Sequence, residues 1–220
     1  HAASAYTLAA VPARYVLERQ QWAEAAKLEP RQPASYPWDK FPAMEAVTHF
    51  AIALGAAQTG DVPKAEKAIA RLGELKTQTE KSSAYWAKQV EIQRLSALAW
   101  LQYYQGQQNQ ALLTMQSAAD LEATTEKHPV TPGEVLPARE LLADMLFAMK
   151  KYPQAIGEYE TALKRSKNRF NSLYGAAKSA ELTGDKDKAK QYYQMLVDVA
   201  EVEEADRPQL QQATTYLASK

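Results

Sequence analysis

Leu141-Leu142-Ala143-Asp144-Met145-Leu146-Phe147-Ala148-Met149-Lys150-Lys151-Tyr152-Pro153-Gln154-Ala155 is the stretch on which the reading of the whole chain turns. Leu141, Leu142, Met145, Leu146 and Met149 stand at i, i+1, i+4, i+5 and i+8, which places them on one face of an α-helix. A turn follows at Lys150-Lys151, and a second helix carries Ala155 early, where a small side chain permits close packing. Val90, Leu95, Leu98, Leu101 and Tyr104 give another helical stripe. Nowhere does strict alternation run for a strand's length between turn residues. The chain is expected to be all-α.

The same pattern recurs along the chain. A turn-like residue precedes an alanine by five positions in Gln20–Ala25, Gly60–Ala65, Gly106–Ala111, Lys150–Ala155 and Gly184–Ala189. The alanines are spaced by 40, 46, 44 and 34 residues. Each turn reads as a helix C-terminus where glycine takes a left-handed conformation.

On these residues the chain resembles the tetratricopeptide-repeat (TPR) family, whose unit is a helix–turn–helix of about 34 residues. Ala155, Tyr159 and Ala162 fit the family's small–aromatic–small positions, and Ala189, Tyr193 and Leu196 follow them one unit later. Leu142-Ala143 with Leu146, and Leu98-Ala99, fit the first helix of the unit. Leu95, Arg139 and Leu173 replace the signature tryptophan, Ser166-Lys167-Asn168 stands where a closing proline is usual, and the first three intervals are too long. The segments Tyr6–Trp22 and Glu126–Met145 resemble the C-terminal part of larger bacterial multi-TPR proteins of unassigned function. The resemblance implies a right-handed TPR-like α-solenoid of five helix-turn-helix units, forming one superhelical domain over residues 1–220.

The connections carry the extra residues. Residues 29–42 hold Pro30, Pro33, Pro37 and Pro42, which forbid a continuous helix and favour an extended path. Tyr36, Trp38 and Phe41 would fold this segment back onto a helical surface, either as a plug over a repeat junction or as a lid over a groove. A second proline-rich connection spans 128–137. Thr77–Ser83 reads as a polar insert, with Ser82 or Ser83 capping the next helix. Asp206-Arg207-Pro208 opens a capping helix over about 206–218, its stripe formed by Leu210, Ala213, Tyr216 and Leu217. Tyr6–Gln20 is a full helix without an obvious cap, so the chain is expected to continue upstream in a parent protein, with His1 a tag remnant.

Composition narrows the function. The chain has 220 residues, 26 Lys+Arg against 26 Asp+Glu, and no cysteine. Zero net charge argues against a nucleic-acid partner, and no apolar run approaches the roughly 20 residues of a membrane span. Absence of cysteine removes thiolate chemistry and fits cytoplasm and periplasm alike. His1, His49 and His128 are scattered and show no metal-ligand spacing, so neither metal nor cofactor is expected. His49 reads as structural, and His128 as a cation beside a helix end. Glu140 and Asp144 stand one turn apart and could pair as an acid and a base. The basic run Lys164–Arg169 suits a helix C-terminus.

The TPR resemblance also implies a concave wall lined by the first helix of each unit. Those positions hold Arg14, Phe50, Trp100, Tyr103, Glu140, Asp144, Phe147, Tyr174 and Lys178. A mixed aromatic and charged groove suits a peptide or partner segment with one or two apolar anchors. The expected function is a non-catalytic protein-interaction scaffold. A second reading is a helical small-molecule sensor or enzyme whose pocket is closed by residues 30–42 and uses Glu140, Asp144 or His128. A third is self-association.

Overall fold

The structure, a computed structural model, describes residues 1–126, 134–200 and 207–219. His128 and most of the second proline-rich connection, and Asp206, lie outside the described residues. The described residues are helical throughout and contain no strand. Eleven helices follow in order: α1 (Ala2–Glu18), α2 (Trp22–Ala25), α3 (Pro42–Thr59), α4 (Val62–Glu80), α5 (Ala84–Tyr104), α6 (Gln108–Ala123), α7 (Ala138–Ala148), α8 (Tyr152–Arg165), α9 (Phe170–Thr183), α10 (Lys186–Val199) and α11 (Pro208–Ala218).

Five of the turns are built alike. Gln20, Gly60, Gly106, Lys150 and Gly184 all take positive φ, between 53° and 79°. After each, the next amide donates to a carbonyl five residues back (Gln21 to Val16, Asp61 to Ala56, Gln107 to Gln102, Lys151 to Leu146, Asp185 to Ala180) at 2.8–3.0 Å. This is the six-to-one bond of a Schellman ending, which consumes a carbonyl that the helix terminus would otherwise leave open. The alanines five residues on, Ala25, Ala65, Ala111, Ala155 and Ala189, are all 0% exposed. A turn of fixed geometry therefore delivers a small buried residue to each helix crossing.

The residues form two compact units, His1–Ala138 and Arg139–Lys220. Within the first, α3 packs on α1, α2, α4 and α5, α5 on α4 and α6. Helix α3 is consequently buried on nearly every side, its surface made of Ala43, Ala46, Ala51, Ala53, Ala56 and Ala57 with Phe50 and Leu54. Gly55 lets α2 approach: a β-carbon there would stand 2.5 Å from the Trp22 carbonyl oxygen. Within the second unit, α9 packs on α8 and α10, and α11 on α10. Ala155, Tyr159 and Ala162 are buried on α8, and Ala189, Tyr193 and Leu196 on α10.

Several local expectations change. The helix after the first turn has only four residues, Trp22–Ala25. Residues 30–42 are compact rather than extended, with bends and a 3-10 turn at Trp38–Lys40. Trp38 is 2% exposed and donates from Nε1 to the Pro33 carbonyl at 3.1 Å. The Tyr36 ring stands 5.3 Å from Trp38 and 5.8 Å from Phe41, and its hydroxyl donates to the His1 carbonyl. Thr77–Ser83 is mostly not an insert: α4 runs through Glu80, and Ser83 caps α5, its hydroxyl accepting from the Trp86 amide at 3.3 Å. On α5 the stripe ending at Tyr104 is only partly the core face. Of that stripe Val90 and Leu101 are buried, Leu95 and Leu98 are half-buried and Tyr104 is 46% exposed, while Ala97 and Trp100 beside it are buried as well.

Candidate functional site

The second unit holds a groove of about 890 Å³ between α7, α9 and α11. Phe147, Tyr174 and Lys178 line it, so three of the predicted wall positions meet at one surface. Helix α11 contributes Gln211, Gln212 and Thr215, and Ser219 stands at its C-cap. These stand at i, i+1, i+4 and i+8, a polar face opposite the buried Leu210 and Ala213. The sequence shows Gln211, Gln212, Thr214 and Ser219 only as residues off the stripe of the capping helix, and does not single out Thr215. It carried no sign that they would border a groove.

The walls are held from behind. Tyr193, 1% exposed, donates to Glu181 Oε2 at 2.7 Å, and Lys178 Nζ meets Glu181 Oε1 at 2.9 Å. Burial would raise the Glu181 pKa, but the Tyr193 hydroxyl and Lys178 hold it below the usual value. Burial and the Glu181 carboxylate push the Tyr193 hydroxyl far up, and burial likewise raises Tyr174. Both phenols are therefore neutral donors at physiological pH. Tyr174 donates to Gln212 Oε1, which fixes α11 against α9. The Tyr216 and Tyr193 rings pack 4.8 Å apart, and the Phe147 and Tyr152 rings 5.3 Å apart at 61° to each other. The groove thus offers amide and hydroxyl groups between aromatic edges, with its one lysine already paired to a carboxylate.

Other predicted wall residues serve the interior. Glu140 is 0% exposed and is gripped by Arg169, from Nε to Oε2 at 2.8 Å and from Nη2 to Oε1 at 2.7 Å, with the Ser172 hydroxyl also on Oε2. Asp144 accepts from the Tyr159 hydroxyl at 2.6 Å. Burial first, and then the Asp144 charge, raise Tyr159 well above its ordinary value. The hydrogen-bond partners of the two carboxylates thus differ: Arg169 and Ser172 for Glu140, Tyr159 for Asp144. Phe50 is core, at 1% exposed. Trp100 is 4% exposed, with the Tyr103 ring edge-on at 5.5 Å. Arg14 donates to the Glu134 carbonyl at 2.9 Å.

The first unit has its own buried carboxylate. Glu45, 3% exposed, accepts from Arg71 Nη2 at 3.0 Å, with His49 Nε2 at 3.4 Å and Arg31 Nε at 3.9 Å. Burial opposes ionisation, but hydrogen bonds from His49 and Arg71 leave the Glu45 pKa below its usual value. Beside this cluster lies a cavity of about 670 Å³ between residues 26–30, α3 and α4. Of residues 30–42, Pro30 alone lines it.

Among the described residues, no three His, Asp or Glu side chains converge as metal ligands, and no helix is long and apolar enough to cross a membrane. No family model matches the chain, and no curated protein matches it.

Proposed function

We propose that this is a TPR-like repeat protein whose hairpins follow a right-handed solenoid pattern, and that it acts as a non-catalytic scaffold for another polypeptide. The partner segment lies in the groove of the second unit. The observation that carries this reading is the meeting of Phe147, Tyr174 and Lys178 with Gln211, Gln212, Thr215 and Ser219 around one concavity. An extended chain needs partners for its backbone amides and carbonyls and a pocket for one or two side chains. Glutamine, threonine and serine side chains both donate and accept, which suits a backbone. Tyr174 and Phe147 supply rigid aromatic edges, which bind apolar anchors at low entropic cost.

The test is a displayed library of random peptides panned on the purified chain. Enriched peptides should bind at least tenfold more weakly to Tyr174→Ala, with the fold retained by circular dichroism. Enriched peptides indifferent to Tyr174 would remove the groove from the account. A second copy of the chain as the partner is recognised by sedimentation, as a concentration-dependent dimer lost in the same variant.

A further inference from the structure

The cavity of the first unit has a chemistry of its own, separate from the groove. Its floor is apolar, formed by Leu28, Pro30, Ile52 and Ala68. Its lining carries Lys27, Lys64, Lys67 and Arg71 against Glu29 and Glu74, an excess of two positive charges in a chain whose net charge is +0.

The placement of those charges is uneven. Arg71 is spent: it bonds Glu45 at 3.0 Å and Glu74 at 2.6 Å. Lys27 is paired with Glu24 at 2.9 Å. Lys64 and Lys67 form no ion pair among the described residues. They stand at i and i+3 on α4, with Ala68 and Arg71 on the same face, so the helix carries like charges on neighbouring turns. Such spacing is mildly unfavourable in a helix unless an anion lies between the charges.

We propose that this cavity binds a small amphipathic carboxylate, with the carboxylate between Lys64 and Lys67 and the aliphatic body on Leu28, Pro30, Ile52 and Ala68. A volume of about 670 Å³ falls within the usual range for organic ligands. Charge and floor together select the class. A bare inorganic anion would leave the apolar floor wet, and an alcohol of equal length would leave both ammonium groups without a counter-charge. Glu45 is not a ligand, since Arg71 and His49 already occupy it.

The experiment is calorimetric titration of the purified chain with hexanoate, octanoate and decanoate, and with octanol and octylamine as controls. Binding should be one-to-one, and affinity should rise about fourfold per added methylene until the floor is covered. Octanoate should bind about tenfold more weakly to a Lys64→Gln, Lys67→Gln variant. Both lysines are exposed and repel each other, so that variant should melt no lower than the wild type. Ala70 is exposed on α4 and lines the same cavity, and Ala70→Trp should abolish binding by filling it. No saturable binding of decanoate at millimolar concentration would overturn the proposal. So would equal affinity for octylamine, or affinity unchanged in either variant.

Discussion

The backbone of Gly175 in α9 lies beneath the ring of Tyr159 in α8, so close that a β-carbon at 175 would overlap Tyr159 Cζ. The ring cannot move aside cheaply, because its hydroxyl is held by Asp144 at 2.6 Å and the residue is 2% exposed. Gly175→Ala should therefore destabilise the protein by about 1–3 kcal/mol, although alanine is the better helix former. Gly157, in α8, is exposed with nothing within 4 Å of its β-carbon position, so Gly157→Ala should stabilise by up to about 1 kcal/mol. Thermal unfolding of the two variants should give shifts of opposite sign. Equal signs would contradict the α8–α9 packing.

The five left-handed turns make a second prediction. Gln20 and Lys150 hold φ of 53° and 58°, where the other three positions are glycine. Lys150→Gly should stabilise by as much as about 1 kcal/mol, and Gly184→Ala should destabilise by a similar amount. Denaturant midpoints for both variants, at unchanged slope, provide the check.

Glu140 and Arg169 bind each other in a site that is closed to water on the carboxylate side. Glu140→Leu alone removes the buried carboxylate that Arg169 and Ser172 bond and should cost about 3–5 kcal/mol. The double variant Glu140→Leu, Arg169→Met should recover much of that loss, because a well-packed apolar pair avoids the desolvation cost. A catalytic or partner-binding role for Glu140 would leave stability nearly unchanged in the single variant.

Glu45 predicts a pH dependence. Its folded-state pKa is depressed below the ordinary 4.5, so the stability it contributes is complete above that value and is lost as pH falls through the lower folded value. Glu45→Gln should lower stability at neutral pH and flatten the acid limb of the stability curve. An acid limb as steep as that of the wild type would place the titrating group elsewhere.

Much of the fold was legible because its signals are local. The turn residue and the alanine five positions later lie within one stretch of chain, and all five alanines proved fully buried. Gln20 and Lys150 are unremarkable singly and became readable as turns only through the repeated pattern. The candidate site was less legible because its determinants are distant in sequence. Glu140 and Asp144 read as a pair one turn apart, but their partners are Arg169, 29 residues on, and Tyr159, 15 residues on. Phe50 fits a wall position by register, yet α3 is enclosed by four other helices and leaves that ring no open side. The polar face of α11 was visible as a pattern, and its part in the groove depends on where the helix docks.

We propose that a polypeptide occupies the groove between α7, α9 and α11, and its occupancy can be read residue by residue. Amide chemical-shift mapping with a peptide enriched on the purified chain addresses it most directly. The largest perturbations should fall at Phe147, Tyr174, Lys178, Gln212 and Thr215, with the outward residues of α8 and α10 unmoved. Perturbations centred on α8 and α10, or the failure of any peptide to be enriched, would contradict the account.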